Sequence, residues 1–150
     1  LVPLLAAIRI RSDAERKRTL AGDAADYSAD AIADVYDHLL AAAAAVVAGG
    51  ISVIVDATFI DAQMRTRFAD LAQTLGVPLC ILCTRAPRDV LESRIRSRAL
   101  QGADPSDADL QVLEGQLARF DEPEGNNVVY VDTSEDIDVE AVARGLRKAI

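Results

Sequence analysis

Three short clusters of acidic and hydroxyl residues stand where apolar runs end: Ser12-Asp13, Asp56-Ala57-Thr58 and Asp132-Thr133-Ser134. The run Val53-Ile54-Val55 before Asp56 reads as a rigid, water-excluding strand with a single carboxylate at its end. That arrangement suits a hydrated magnesium ion beside phosphate oxygens, because magnesium keeps most of its waters and takes only one or two carboxylates. Asp13 leaves another apolar strand and has the chemistry to orient an attacking hydroxyl or accept its proton. Both aspartates also have a purely structural reading, since a strand-end Asp caps the helix that follows. Ser12 could cap residues 14–18 equally well.

Arginines are the second chemical signal. Arg94 and Arg98 are four residues apart, so a helix puts them on one face. A polar segment follows, then a second helical stretch carrying Gln116 and Arg119. Paired guanidiniums match phosphate oxygens with a fixed fork of donors and keep their charge at any physiological pH. The alternative is a solvated helix face paired with Asp89 and Glu92. Lys17 and Lys148 are the only lysines among sixteen cations, so positive charge in this chain is carried by arginine.

Strands alternating with helices must position these groups. Period-2 and continuous apolar runs predict strands over residues 7–11, 51–55, 79–84 and 127–131. Helical spacing predicts helices over 28–48, 61–75, 87–100, 107–119 and 139–150, the first capped by Ser28 and stopped by Gly49-Gly50. Continuous apolar strands joined through helices imply a parallel sheet covered on both faces. In such sheets ligands bind beyond the carboxyl ends of the strands, where all three acidic clusters fall. With 150 residues and no repeat or low-complexity linker, one domain is expected.

Composition narrows the function classes. A net charge of −8 argues against general nucleic-acid or anionic-membrane binding, which both require a basic face. No signal peptide or membrane-spanning apolar run is expected; the stretch 41–50 is short and alanine-rich. Cys80 and Cys83 lie within an apolar strand, three residues apart and therefore facing opposite ways, as buried structural thiols suited to a reducing compartment, the cytoplasm. One histidine, His38, and two strand-bound cysteines argue against a zinc site.

The segments at residues 9–18, 53–59, 94–98 and 109–117, with the phrases Ile10-Arg11-Ser12-Asp13 and Val55-Asp56-Ala57-Thr58-Phe59, occur in one order over nearly the whole chain. In this the chain resembles the P-loop kinase-like ATP-binding domains: AAA-type and zeta-toxin-like small kinases, and the C-terminal half of bifunctional aminoglycoside phosphotransferase/ATP-binding proteins. The resemblance implies a three-layer α/β sandwich of the nucleoside-kinase type, with a parallel sheet and a helical lid over about residues 94–124. It implies ATP and Mg2+ as cofactors and a small hydroxylated molecule as substrate, and it allows fusion to an upstream phosphotransferase domain. Asp13 matches the substrate-side catalytic carboxylate, and Asp56 the Walker B position that handles the metal. Thr58 and Arg65 match the border of the acceptor site, and Arg94 and Arg98 match lid arginines on the ATP phosphates. Arg119 belongs to the same lid, although relatives place that arginine one position later, where this chain has Phe120.

The chain departs from the family in lacking any G-x-x-x-x-G-K-[ST] segment, the loop whose backbone N–H groups and lysine hold the β- and γ-phosphates. It should precede Ile8, where only residues 1–7 stand. These 150 residues alone are therefore expected to be inactive. Three functions remain open at this point: a small-molecule phosphotransferase, an ATP-binding regulatory or accessory module of a larger fused enzyme, and an interaction domain whose site has decayed.

Overall fold

The computed structural model describes residues 1–19, 28–101 and 109–149. The chain divides into two compact units: one of residues 2–59 and 63–77, the other of residue 1, residues 60–62 and residues 78–150.

In the first unit, a short α1 (Val2–Leu5) turns through Ala6, at φ 47°, into β1 (Ala7–Arg11). β1 pairs in parallel with β2 (Ser52–Asp56), from Ala7 opposite Ser52 to Arg11 opposite Asp56. Parallel pairing demands a crossover, which α2 (Ser12–Thr19) and α3 (Ala29–Ala48) supply. Local signals set the ends of α3. Ser28 Oγ accepts the Ala31 N–H at 3.3 Å, and the Gly49 N–H donates back to the Val46 carbonyl at 3.1 Å. Gly50 makes the turn at φ 75°, a conformation that a Cβ disfavours.

Val35, Tyr36, Leu39 and Ala43 form the buried stripe of α3, which packs on β1 and β2, and Leu39 is wholly enclosed. Residues 30–48 of α3 are long and apolar enough, by length and composition, to cross a membrane. This amends the expectation that no such run exists, although the stripe just described is that of a core helix. α4 (Ala62–Leu75) contributes Phe68 and Ala72 to the core.

In the second unit, β3 (Ile81–Arg85) pairs in parallel with β4 (Val128–Asp132), Ile81 opposite Val128 and Arg85 opposite Asp132. α5 (Arg88–Gln101) and α6 (Leu110–Arg119) lie between them in sequence, and α7 (Val139–Ala149) packs on β4 with Ala143 and Leu146 buried. Asp109 caps α6 by accepting the Val112 N–H at 2.8 Å. Cys83 is buried and Cys80 half-buried, both as free thiols, and burial raises the Cys80 pKa.

The α/β class and the parallel pairing within each strand pair agree with the sequence expectation. Among the described residues the strands hydrogen-bond as two pairs. In a two-stranded sheet each strand has only one neighbour, and coverage on both faces is reached in part: Ile10 is buried while Ile8, on the same face, is 44% exposed. The last three strands begin and end one or two residues later than expected. Asp56 and Asp132 are consequently the final residues of strands, each held in a ladder.

Candidate active site

Because β1 and β2 run parallel and end together, their carboxyl edge gathers Asp56 with the start of α2, which carries Ser12 and Asp13. The two predicted carboxylates thus share one sheet edge. Arg11, the register partner of Asp56, points its Nε to Asp56 Oδ2 at 3.4 Å; the side chains are 29% and 49% exposed. Asp13 is the second residue of α2, half-buried in its first turn, where negative charge complements the helix dipole.

After β2 the chain bends at Ala57 and leaves the strand. Thr58 is exposed, and Phe59 sits at φ 44°, a region that costs a bulky residue about 1–3 kcal/mol. Side chains from two helices hold it there. The Phe59 N–H donates to the Tyr36 hydroxyl of α3 at 3.1 Å, and Arg65 Nη1 of α4 donates to the Phe59 carbonyl at 2.6 Å. The Phe59 ring packs edge-on between Tyr36 and Phe68, with centroids 5.4 and 5.0 Å away. Arg65, predicted to border an acceptor, thus also supports the loop that carries Thr58. Tyr36 was missed in the sequence. The available signal was a tyrosine inside the buried stripe of an alanine-rich helix, since a buried hydroxyl must find a partner.

The second unit has its own strand-end cluster. Arg94 Nη1 donates to Thr133 Oγ1 at 2.9 Å while Nη2 donates to the Thr133 carbonyl, and Thr133 Oγ1 donates to the Arg85 carbonyl at 2.9 Å. Next to it, Asp132 Oδ1 accepts from the Ser134 N–H at 2.8 Å and its hydroxyl at 2.6 Å. These two bonds hold the Asp132 carboxyl below its usual range, with a smaller contribution from the Arg94 charge. Arg98 follows one turn later on α5, half-buried. Arg119 is exposed and its Nε donates to the Gly115 carbonyl of its own helix at 3.1 Å. Glu92, the alternative partner considered for the arginine pair, is engaged by Arg88 at 2.9 Å and Arg96 at 3.3 Å. Arg88 also reaches Glu114 at 2.6 Å and so ties α5 to α6. Beyond α6, the Asp121 N–H donates to the Ile60 carbonyl at 2.9 Å, and Asp121 Oδ2 accepts the Ala62 N–H at 3.5 Å.

Among the described residues no group of three or more His, Cys, Asp or Glu side chains could hold a metal ion. Magnesium asks for less: one or two carboxylates and its own waters. A half-exposed carboxylate at the end of a strand, Asp56, fits that demand.

Residues 1–123 match the AAA domain family. The chain belongs to that family. Its fold is that of a P-loop kinase-like domain, as three solved structures show. A candidate kinase of Chloroflexus aurantiacus J-10-fl is 26% identical, with a TM-score of 0.77 over 99% of this chain and 87% of that one. The APS kinase of Mycobacterium tuberculosis, solved with AMPPNP and APS, is 16% identical, with a TM-score of 0.65 over 95% of this chain and 79% of that one. A gluconokinase of Sinorhizobium meliloti 1021 is 19% identical, with a TM-score of 0.58 over 99% of this chain and 77% of that one. No curated protein matches the chain.

Proposed function

We propose that this AAA-family domain is an ATP-dependent phosphotransferase that acts on a hydroxyl of a small molecule. The supporting observation is the shared strand edge: Asp56 ends β2, and Asp13 opens the helix that leaves the neighbouring strand. Ligands of open α/β sheets bind beyond the carboxyl ends of the strands, which supports reading this edge as the site.

On this reading Asp56 is the metal-side carboxylate and holds the water shell of Mg2+. Bound Mg2+–ATP supplies the transferable phosphoryl group and offsets its charge. Asp13 aligns the acceptor hydroxyl and takes its proton, a task that needs position more than a shifted pKa, because the proton leaves late in a loose transition state. Thr58 and Arg65 border the acceptor. Arg94, Arg98 and Arg119 carry the charge that meets phosphate oxygens, Arg94 from a fork already turned to Thr133. A G-x-x-x-x-G-K-[ST] loop does not occur in the 150 residues, and transfer depends on one being supplied within the full-length protein. The same reading takes a nucleotide and a hydroxylated small molecule as partners. It allows fusion behind an upstream phosphotransferase domain. It also places the protein in the cytoplasm, where thiols such as Cys80 and Cys83 stay reduced.

The test is calorimetry of ATP binding, with and without Mg2+, beside a turnover assay over a panel of hydroxylated small molecules, on the full-length protein. Asp13→Asn should keep ATP affinity and abolish transfer, whereas Asp56→Asn should lose the Mg2+ dependence. Tight ATP binding with no transfer to any acceptor would favour the regulatory module. Unchanged activity in Asp13→Asn would move the acceptor site elsewhere.

A further inference from the structure

We propose that Tyr36 is a positioning residue of this site: its hydroxyl, together with the Arg65 guanidinium, holds Phe59 at its positive φ and thereby fixes the segment from Asp56 to Thr58. The proposal rests on the phosphotransferase reading for its purpose, but its physical content stands on the loop alone.

Both backbone groups of Phe59 are taken by side chains rather than by a ladder or a turn. The N–H goes to Tyr36 at 3.1 Å and the carbonyl takes Arg65 at 2.6 Å. Glycine is the residue that normally accepts a positive φ, because it has no Cβ to clash. This chain instead places an aromatic side chain at φ 44°, and its ring is gripped by Tyr36 and Phe68. A glycine would relax the backbone and lose the grip; the phenylalanine keeps the grip and accepts the strain. Strain of this kind persists only where surrounding structure over-determines it, and it clusters at functional sites.

The loop so fixed is short. Asp56 is anchored in the β2 ladder opposite Arg11, and Phe59 is anchored by α3 and α4, so only Ala57 and Thr58 lie between two fixed points. Thr58 is exposed between them. Tyr36 is buried on α3 and acts on the site only through Phe59. Arg65 Nη1 is engaged with the same residue, so any contact with an acceptor falls to the remaining nitrogens of its guanidinium.

Tyr36→Phe keeps the ring packing and deletes only the hydroxyl. Hydrogen–deuterium exchange on the full-length protein should then show the Phe59 amide exchanging at least about tenfold faster. The amides of β2 should be unchanged and the melting temperature nearly so. Arg65→Met should loosen the same segment, and Arg65→Lys, which retains a donor, should restore part of the protection. Unchanged exchange at Phe59 in Tyr36→Phe overturns the proposal. So does a uniform rise across β2 and α3, which would make Tyr36 a general core residue. In the turnover assay, Tyr36→Phe should raise the acceptor KM about tenfold and leave the KM for ATP unchanged; an equal change in both overturns the positioning role. If the unmodified protein transfers no phosphoryl group, the phosphotransferase reading fails, while the exchange experiment still decides whether Tyr36 holds the loop.

Discussion

Arg11 and Asp56 meet twice: their Cα atoms are register partners across β1 and β2, and their side chains form an ion pair at 3.4 Å. The charge of Asp56, the metal-side carboxylate of the proposed reading, is therefore already partly balanced by a group that the sheet itself places opposite it. A cation approaching Asp56 must compete with this guanidinium.

Removing that competition is the first prediction. Arg11→Met should change unfolding free energy by less than about 1 kcal/mol, as expected of a partly exposed pair, while strengthening Mg2+-dependent nucleotide binding. Chemical denaturation and calorimetry on the same variant separate the two effects. A loss of metal-dependent binding would mean that Arg11 supports the site instead of competing with it.

The second prediction concerns α5. Arg94 uses two nitrogens on two oxygens of Thr133, a fork that lysine cannot reproduce. A double-mutant cycle of Arg94→Lys with Thr133→Val should show a coupling of about 0.5–1.5 kcal/mol. If the proposed reading holds, Arg98→Ala should lower turnover of the full-length protein by about one to three orders of magnitude, the scale of losing one charge-stabilising donor. Unchanged turnover at saturating ATP would reduce Arg98 to a helix-face residue.

A pH dependence follows from Asp132. Its carboxyl is held below the usual range in the folded protein by the Ser134 N–H and hydroxyl. A group with a depressed folded pKa stabilises the fold above its unfolded pKa, and that contribution fades as pH falls through the folded value. The stability difference between the unmodified protein and Ser134→Ala should be present at neutral pH and shrink on acidification below the ordinary aspartate range. Thermal melts at several pH values read it. A difference that persists unchanged in acid would assign it to the serine hydroxyl's other contacts.

The thiols supply the fourth prediction. Burial raises the Cys80 pKa, and Cys83 is buried in β3. The reactive species is the thiolate. Cys80 should therefore react more slowly with iodoacetamide at pH 8 than a free cysteine peptide, and Cys83, shut away from the reagent by burial, more slowly still. Mass spectrometry of timed samples gives the order. Rapid labelling of Cys83 would show that β3 opens readily.

Features encoded by neighbouring residues were legible in the sequence. Ser28 and Gly49 delimit α3 as their local chemistry demands, and the four strands appear near their expected places. α2 is the least legible helix, because residues 12–19 carry no apolar stripe and only the capping chemistry of Ser12 and Asp13 announces it; charge contacts such as Arg18 to Glu15 at 2.5 Å accompany the helix. Placing Asp13 and Asp56 at one edge required only strand direction, which the crossover helices disclose. The partners of Arg94, Arg65 and Phe59 were not legible, since each is a side-chain contact whose geometry depends on packing. Phe59 and Tyr36 lie 23 residues apart, and no spacing rule links a tyrosine on one helix to the backbone of a distant loop.

The register of the two parallel pairs also bears on how the chain is made. Ala7 meets Ser52 and Ile81 meets Val128, so neither first strand finds its partner until a long stretch of chain has followed it. Contacts of such separation close slowly. During synthesis, Ile81, Leu82 and Cys83 leave the ribosome well before β4 exists to pair with them. α3, by contrast, is built from contacts local in sequence and carries its own cap in Ser28. The first pair has both its strands once residue 56 has emerged, whereas β3 must wait for residue 128 before its partner begins.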